Sequence, residues 1–365
     1  MTVARFVFRV DSSRQIGGGH LARCLTLAKG LKEKGSKCIF ICRDLAWNLN
    51  ALVISEGFEL IELPRSDDAF LPPDKSAPAH SHWLGVKWDI DALETLNALN
   101  RLNADWIIVD HYGLWEDWQH VVRRCGAKIM VIDDLGDRKH HCDLLLDQNL
   151  GSDTLGYKGL IPSVCETLFG PDYALLRPEF KEYREASLAR RVSYGIENIL
   201  INFGGGDPDN HIARVLRALL SIDISSNVTI SIIFGGLSAI NEEHKQLISQ
   251  FSNTITSYGM VSNMAEILSV SDLVIGAAGS SSWERCCLGV PSIIFPVALN
   301  QSRIAEQLSK CGAAIALTNQ DLSNGHLGLL VNQMLQSQDL AKMSKIAATI
   351  CDGNGLAKVI GIINA

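Results

Sequence analysis

The feature that most constrains this chain is a rhythm. Short unbroken runs of Val, Ile and Leu are separated by amphipathic stretches long enough to be helices. Runs at 3–10, 37–42, 106–110 and 128–133 read as strands in the first half; 197–203, 228–234, 272–276 and 292–295 do so in the second. Their apolar residues are continuous rather than alternating, as in strands covered on both faces. Strands and helices alternate throughout, which predicts parallel sheets in doubly wound α/β layers. Leu21 to Lys34 is the clearest helix, with Gly35 at its end.

The rhythm restarts once. A polar stretch at 181–196 precedes a fresh strand and glycine turn beginning at Asn198. With 365 residues, and roughly 150 residues per domain, the expectation is two Rossmann-like domains, 1–185 and 186–365, facing each other across a cleft. An irregular stretch at 64–88, with four prolines and several His and Trp, is expected to border it. Hydrophobic residues at 47% supply two cores and exclude a disordered chain. A net charge of −7 leaves no basic field for nucleic acid. The N-terminus has no signal-peptide layout. The stretch nearest to a membrane span, Val290 to Leu299, is short and holds two prolines, so no membrane insertion is expected. Ten scattered cysteines, two of them adjacent, read as reduced thiols in a cytoplasmic protein.

Three glycine-rich turns carry the chemistry. The first strand runs through Arg9-Val10-Asp11 into Gly17-Gly18-Gly19-His20 and a helix. That places His20 at a helix start beyond a strand's carboxyl end, where open α/β sheets bind ligands and where it can act as a general base. Its plain alternative is a helix cap. The spacing is not G-x-G-x-x-G, so a nicotinamide cofactor is disfavoured. The second turn, Phe203-Gly204-Gly205-Gly206-Asp207, opens the other domain. The third, Gly276-Ala277-Ala278-Gly279, leads into Ser280-Ser281-Ser282-Trp283-Glu284, where free amides and hydroxyls at a helix start suit a pyrophosphate. Glu284 is placed to hold ribose hydroxyls, and Asn300-Gln301 begin another turn on the ligand edge. Together these turns favour a nucleoside diphosphate. The Asp133–Asp143 segment is rich in Asp and His but matches no zinc or calcium spacing, so no metal is expected.

In order, the motifs are Arg9 to His20, Val109-Asp110-His111-Tyr112-Gly113, Asp133-Asp134-Leu135 and Asp143 to Asn149. Gly170 to Phe180, Phe203 to Asp207, Gly279 to Gly289, Asn300-Gln301 and Asp352 to Gly355 follow. As a set they resemble the UDP-2,4-diacetamido-2,4,6-trideoxy-β-L-altropyranose hydrolases of pseudaminic acid biosynthesis, related in fold to the GT-B glycosyltransferases. Ala278 stands where that family often has a second glycine. The resemblance implies a UDP-sugar substrate, no cofactor, and water attack at the anomeric carbon with C–O cleavage. It implies His20 as general base in the N-terminal domain and UDP bound by the C-terminal one. Asp11, Gly19, Tyr112, Arg177, Gly205, Ser280, Ser281, Ser282, Glu284 and Asn300 are the substrate-binding positions. A monomer is favoured. A UDP-sugar glycosyltransferase, a hydrolysing 2-epimerase and a non-catalytic nucleotide-sugar-binding protein are the alternatives.

Overall fold

The computed structural model describes residues 3–65, 77–191, 195–207, 209–235, 240–336 and 340–364. Each strand expected from an apolar run is present, within two residues of its expected ends. The first unit holds β1 (Arg5–Val10), β2 (Lys37–Arg43), β3 (Glu59–Leu63), β4 (Trp106–Asp110), β5 (Lys128–Ile132), β6 (Leu144–Asp147) and β7 (Glu166–Phe169). They form one sheet in the order β3-β2-β1-β4-β5-β6-β7, every neighbouring pair parallel. The second unit holds β8 (Asn198–Asn202), β9 (Thr229–Ile233), β10 (Ile255–Tyr258), β11 (Leu273–Ala277), β12 (Ser292–Phe295) and β13 (Ile315–Ala316). Its order is β10-β9-β8-β11-β12-β13, again all parallel.

Sequence reasoning missed β3, β6, β7, β10 and β13. These are short or peripheral, and in β3 two exposed glutamates interrupt the apolar residues and only Leu63 is buried, so it forms no continuous apolar run. In β1 the alternation sorts two cores. Phe6, Phe8 and Val10 pack on one face of the sheet with Leu21, Leu27 and Leu31 from the helix Gly19–Glu33. Val7 packs on the other face with Ile39, Ile41, Val109 and Trp118. Burial on both faces is what the unbroken apolar runs anticipate.

The domain boundary differs from the expected 185/186. The units are Met1–Leu175 with Gly355–Ala365, and Leu176–Asn354. The helix Pro178–Arg190 belongs to the second unit because its arginines are tied there. Arg184 donates to the carbonyls of Ala348 and Cys351, and Arg191 donates to those of Leu268, Ser271 and Leu288. Conversely Gly355–Ile363 returns to the first unit, burying Leu356, Val359 and Ile360 in its core. Residues 66–76 of the irregular stretch, 192–194 of the polar stretch, and Pro208 lie outside the described residues.

Leu340–Ile363, rather than Val290–Leu299, is the stretch long and apolar enough, by length and composition alone, to cross a membrane. It is interrupted between the helices Leu340–Ile350 and Gly355–Ile363, which pack in different units. All ten cysteines are free.

Candidate functional site

Strand order fixes where a ligand can enter each sheet. In the first unit the order reverses between β1 and β4, so the loops leaving these two strands diverge and open a crevice at their carboxyl ends. The β1 loop delivers the helix Gly19–Glu33, which starts without a side-chain cap at Gly18. β4 ends in Asp110.

His20 Nδ1 lies 2.5 Å from Asp110 Oδ1, although 90 residues separate them in sequence. Arg23, one helical turn after His20, grips the same carboxylate with Nε at 2.6 Å from Oδ2 and Nη2 at 2.7 Å from Oδ1. Burial works against ionisation of Asp110, but Arg23 and His20 outweigh it and hold its carboxyl well below the usual carboxylate range. An ionised carboxylate only accepts hydrogen bonds, so His20 Nδ1 carries the proton and donates. Nε2 is then the basic nitrogen, and it makes no hydrogen bond with any described residue. Arg23 also reaches Asp134 beyond β5, and Asp134 accepts from Tyr112 Oη at 2.6 Å. The Tyr112 ring meets His20 edge-on at 4.5 Å. One network therefore sets the rotamers of His20 and Tyr112.

A second aromatic layer adjoins it. Trp83 stacks on Tyr112 at 5.5 Å, and His80 packs edge-on to Trp83 at 4.5 Å and to Tyr112 at 5.5 Å. His82 Nε2 lies 2.8 Å from Gln15 Nε2 in the β1 loop.

Asp11, expected among the substrate-binding residues, is fully buried. Its Oδ1 accepts from Arg9 Nη1 at 2.6 Å and from the Arg43 amide at 2.7 Å. Arg9 and Arg43 both also bind Asp91, from the helix Trp88–Leu99. The cluster cross-links β1, β2 and that helix beneath the loop carrying His20. In the Asp133–Asp143 segment, Asp133 is taken up by Arg138 and the Gly136 amide. Tyr157 Oη lies 3.0 Å from both Asp133 and Asp147. Among the described residues, no group of three or more His, Cys, Asp or Glu is arranged to hold a metal ion.

In the second unit the order reverses between β8 and β11. The loop after β8 exposes Gly204 and Gly205. It lies against Gly235, where a Cβ would come within 2.1 Å of the Gly204 carbonyl oxygen. Asp207 accepts from the His211 and Ile212 amides and thereby caps the helix His211–Leu220. After β11, Ser280 is exposed, Ser281 is half-buried and Ser282 is fully buried. Ser282 Oγ accepts from Arg285 at 2.8 Å, so this hydroxyl faces the protein rather than a ligand. Arg285 also donates to Ser281 Oγ and the Ala277 carbonyl. It is 3% exposed and forms no salt bridge with a described residue; burial works against its positive charge behind the loop, with neighbouring Glu284 acting in its favour.

Glu284 is half-buried, and burial pushes its carboxyl up to about 7 against the opposing pull of Arg177 and Arg285. Arg177 thus lies beside Glu284 in the second unit; it donates to the Ser262 carbonyl at 2.9 Å. The Gln301 amide sits 3.4 Å from where a Gly279 Cβ would be, which brings the Asn300 turn against the β11 loop.

The expected residues therefore fall into two groups. Gly19, His20 and Tyr112 meet at the first switch point. Gly205, Ser280, Ser281, Glu284, Asn300 and Arg177 belong to the second unit. Sequence reasoning missed Asp110, Arg23, Asp134, His80 and Arg285. The spacing of Arg23 three residues beyond His20 is the one local signal, since it puts both on one helix face.

Residues 201–357 match the model of the glycosyltransferase family 28 C-terminal domain. The UDP-2,4-diacetamido-2,4,6-trideoxy-beta-L-altropyranose hydrolase of Campylobacter jejuni is 29% identical over 84% of this chain and 97% of its own length. An uncharacterized protein of Methanocaldococcus jannaschii, MJ1062, is 28% identical over 78% of this chain, which spans about half (54%) of that protein. The crystal structure of MurG from Acinetobacter baumannii matches with a TM-score of 0.71 and 14% identity, over 100% of this chain and 99% of that one. The fold is that of the GT-B glycosyltransferases, two parallel-sheet α/β units.

Proposed function

We propose that the protein hydrolyses UDP-2,4-diacetamido-2,4,6-trideoxy-β-L-altropyranose to UDP and the free sugar. Similarity to the Campylobacter hydrolase supports an enzyme acting on a UDP-sugar. The observation that carries the hydrolytic reading is the His20–Asp110 pair, with Nδ1 committed to the carboxylate and Nε2 open at the switch point. In this reading Nε2 accepts a proton from water as the water oxygen bonds to the anomeric carbon. The bond from that carbon to the glycosidic oxygen breaks, its electron pair leaving on the UDP β-phosphate. Asp110 stays ionised and stabilises the imidazolium as it forms, while Arg23 holds Asp110 in place. UDP is a competent leaving group, so orienting water and neutralising the diphosphate are the main tasks.

The reading assigns the sugar to the first unit and the nucleotide to the second. There the exposed amides after β8 and β11 face the diphosphate, backed by the buried Arg285 charge. Glu284 accepts from ribose hydroxyls, and Arg177 and Asn300 flank the nucleotide.

The test is turnover of the UDP-sugar in ¹⁸O-water, with metal chelated, read by mass spectrometry. Label on the sugar and none on UDP is expected. His20→Asn should abolish turnover and keep UDP affinity within a few-fold. Label on UDP means attack at phosphorus and rejects the mechanism; full turnover by His20→Asn rejects the base. The match to a glycosyltransferase domain favours a second reading, transfer of the sugar to an acceptor. Sugar release in acceptor-free buffer separates the two.

A further inference from the structure

The aromatic layer beside the base contains a histidine for which the hydrolytic scheme has no use. His80 is the third residue before Trp83, and its carbonyl accepts the Trp83 amide at 3.0 Å in a single turn. This turn is pressed against the Asp110–Gly113 segment. A Cβ on Gly113 would lie 2.8 Å from the His80 carbonyl oxygen and 3.0 Å from the His111 ring, so only glycine lets the turn approach this closely. The backbone of the segment that supplies Asp110 and Tyr112 thus fixes the place of His80.

The two nitrogens of the His80 ring differ. Nδ1 is buried and has no hydrogen-bond partner. Nε2 is not buried in this way, and no described residue bonds to it. Burial lowers the basicity of His80, with Arg138, His82 and His20 adding to the effect against Asp137, so the ring is neutral at pH 7. A neutral imidazole has one N–H and one lone pair. Leaving a donor unmet in a buried position costs more than leaving an acceptor unmet. The proton therefore resides on Nε2, the open nitrogen, and the ring presents an uncharged donor beside Tyr112 and His20.

We propose that His80 is a specificity-determining residue that donates its Nε2–H to an acetamido carbonyl oxygen of the substrate's sugar. The proposal rests on the hydrolytic reading above. An uncharged donor suits an amide oxygen, which needs direction rather than charge, and it leaves the anionic part of the substrate to the second unit. The flanking Trp83 and Tyr112 rings offer apolar surface to the acetamido methyl.

His80→Phe keeps an aromatic ring at the edge-on position and removes both ring nitrogens, the open Nε2–H donor and the unpartnered Nδ1. His80→Asn keeps a donor on a shorter arm. Affinity for the UDP-sugar, measured on the turnover-deficient His20→Asn background, should fall roughly tenfold in His80→Phe, the net worth of one hydrogen bond. Affinity for UDP alone should stay within twofold, and His80→Asn should recover part of the loss. Equal losses for UDP and UDP-sugar would overturn the assignment to the sugar, and unchanged UDP-sugar affinity would overturn it altogether. An asparagine variant as weak as the phenylalanine one would overturn the donor role. If the wild type turns over no UDP-sugar, the hydrolytic reading itself has failed, a result distinct from each of these.

Discussion

Asp110→Asn separates an oriented base from a histidine that merely lies near a carboxylate. Asp110 Oδ1 accepts from His20 at 2.5 Å and Arg23 Nη2 at 2.7 Å, while Oδ2 accepts from Arg23 Nε at 2.6 Å. A carboxamide has one acceptor oxygen where the carboxylate has two. With its oxygen towards His20, its NH₂ opposes Arg23 Nε, donor against donor. With its NH₂ towards His20, it donates to Nδ1 and drives the ring proton to Nε2, removing the lone pair that takes water's proton. Loss of general-base catalysis is expected to lower kcat by about 10²–10⁴.

Stability falls as well, because Arg23 is 7% exposed and loses half of its fork. Breaking a buried ion pair costs about 3–5 kcal/mol. Asp134 remains 2.8 Å from Arg23, so the low end, about 3 kcal/mol, is expected. For a unit of this size that lowers Tm by roughly 6–12 °C.

The pH dependence has a definite sign. The folded pKa of Asp110 lies below its unfolded value, so the stabilisation is present above about pH 4 and is lost as pH falls further. The Tm gap between wild type and Asp110→Asn should be full at pH 7 and shrink below pH 4. UDP release kinetics, UDP affinity and melting curves across pH test all three points, and UDP affinity should not change. Turnover within threefold of wild type, together with an unshifted Tm, would refute the reasoning.

Two further outcomes follow from local geometry. Burial raises the folded pKa of Glu284 to about 7, above its unfolded value, so its contribution to stability is present below about pH 4 and is lost as pH rises through 7. Glu284→Gln should therefore raise Tm at pH 8, leave it unchanged at pH 4, and weaken UDP binding if the carboxylate holds the ribose. Trp47 is 68% exposed and sits in the left-handed backbone region with φ of 62°. That conformation costs a non-glycine residue about 1–2 kcal/mol. Trp47→Gly should stabilise the first unit by about 1 kcal/mol net of the glycine's extra unfolded-state entropy, read as a higher urea midpoint; a lower midpoint would mean the indole packs more than its exposure indicates.

Much of this protein was legible in its sequence because much of it is local. Unbroken apolar runs require strands covered on both sides, and they located the central strands of both sheets. Glycine turns between a strand and a helix marked His20 and the Ser280 loop, because tight turns and close backbone approach need that residue. The short edge strands were harder to see, since a half-exposed strand such as β3 has no continuous apolar signal. The domain boundary was misplaced because the helix Pro178–Arg190 looks polar on its own, while its arginines are satisfied by carbonyls of 268–288 and 348–351.

Only the tertiary structure decided which carboxylate His20 uses. Asp110 meets it because β1 and β4 are neighbours across the point where the sheet order reverses, a pairing made by packing 100 residues apart. It also decided that Asp11 and Ser282, which stand in the right motifs, turn inward to Arg9 and Arg285. The physical reason is the same in each case. A motif determines where the backbone turns, but which side chains face solvent depends on the charged and apolar partners the rest of the fold brings to them.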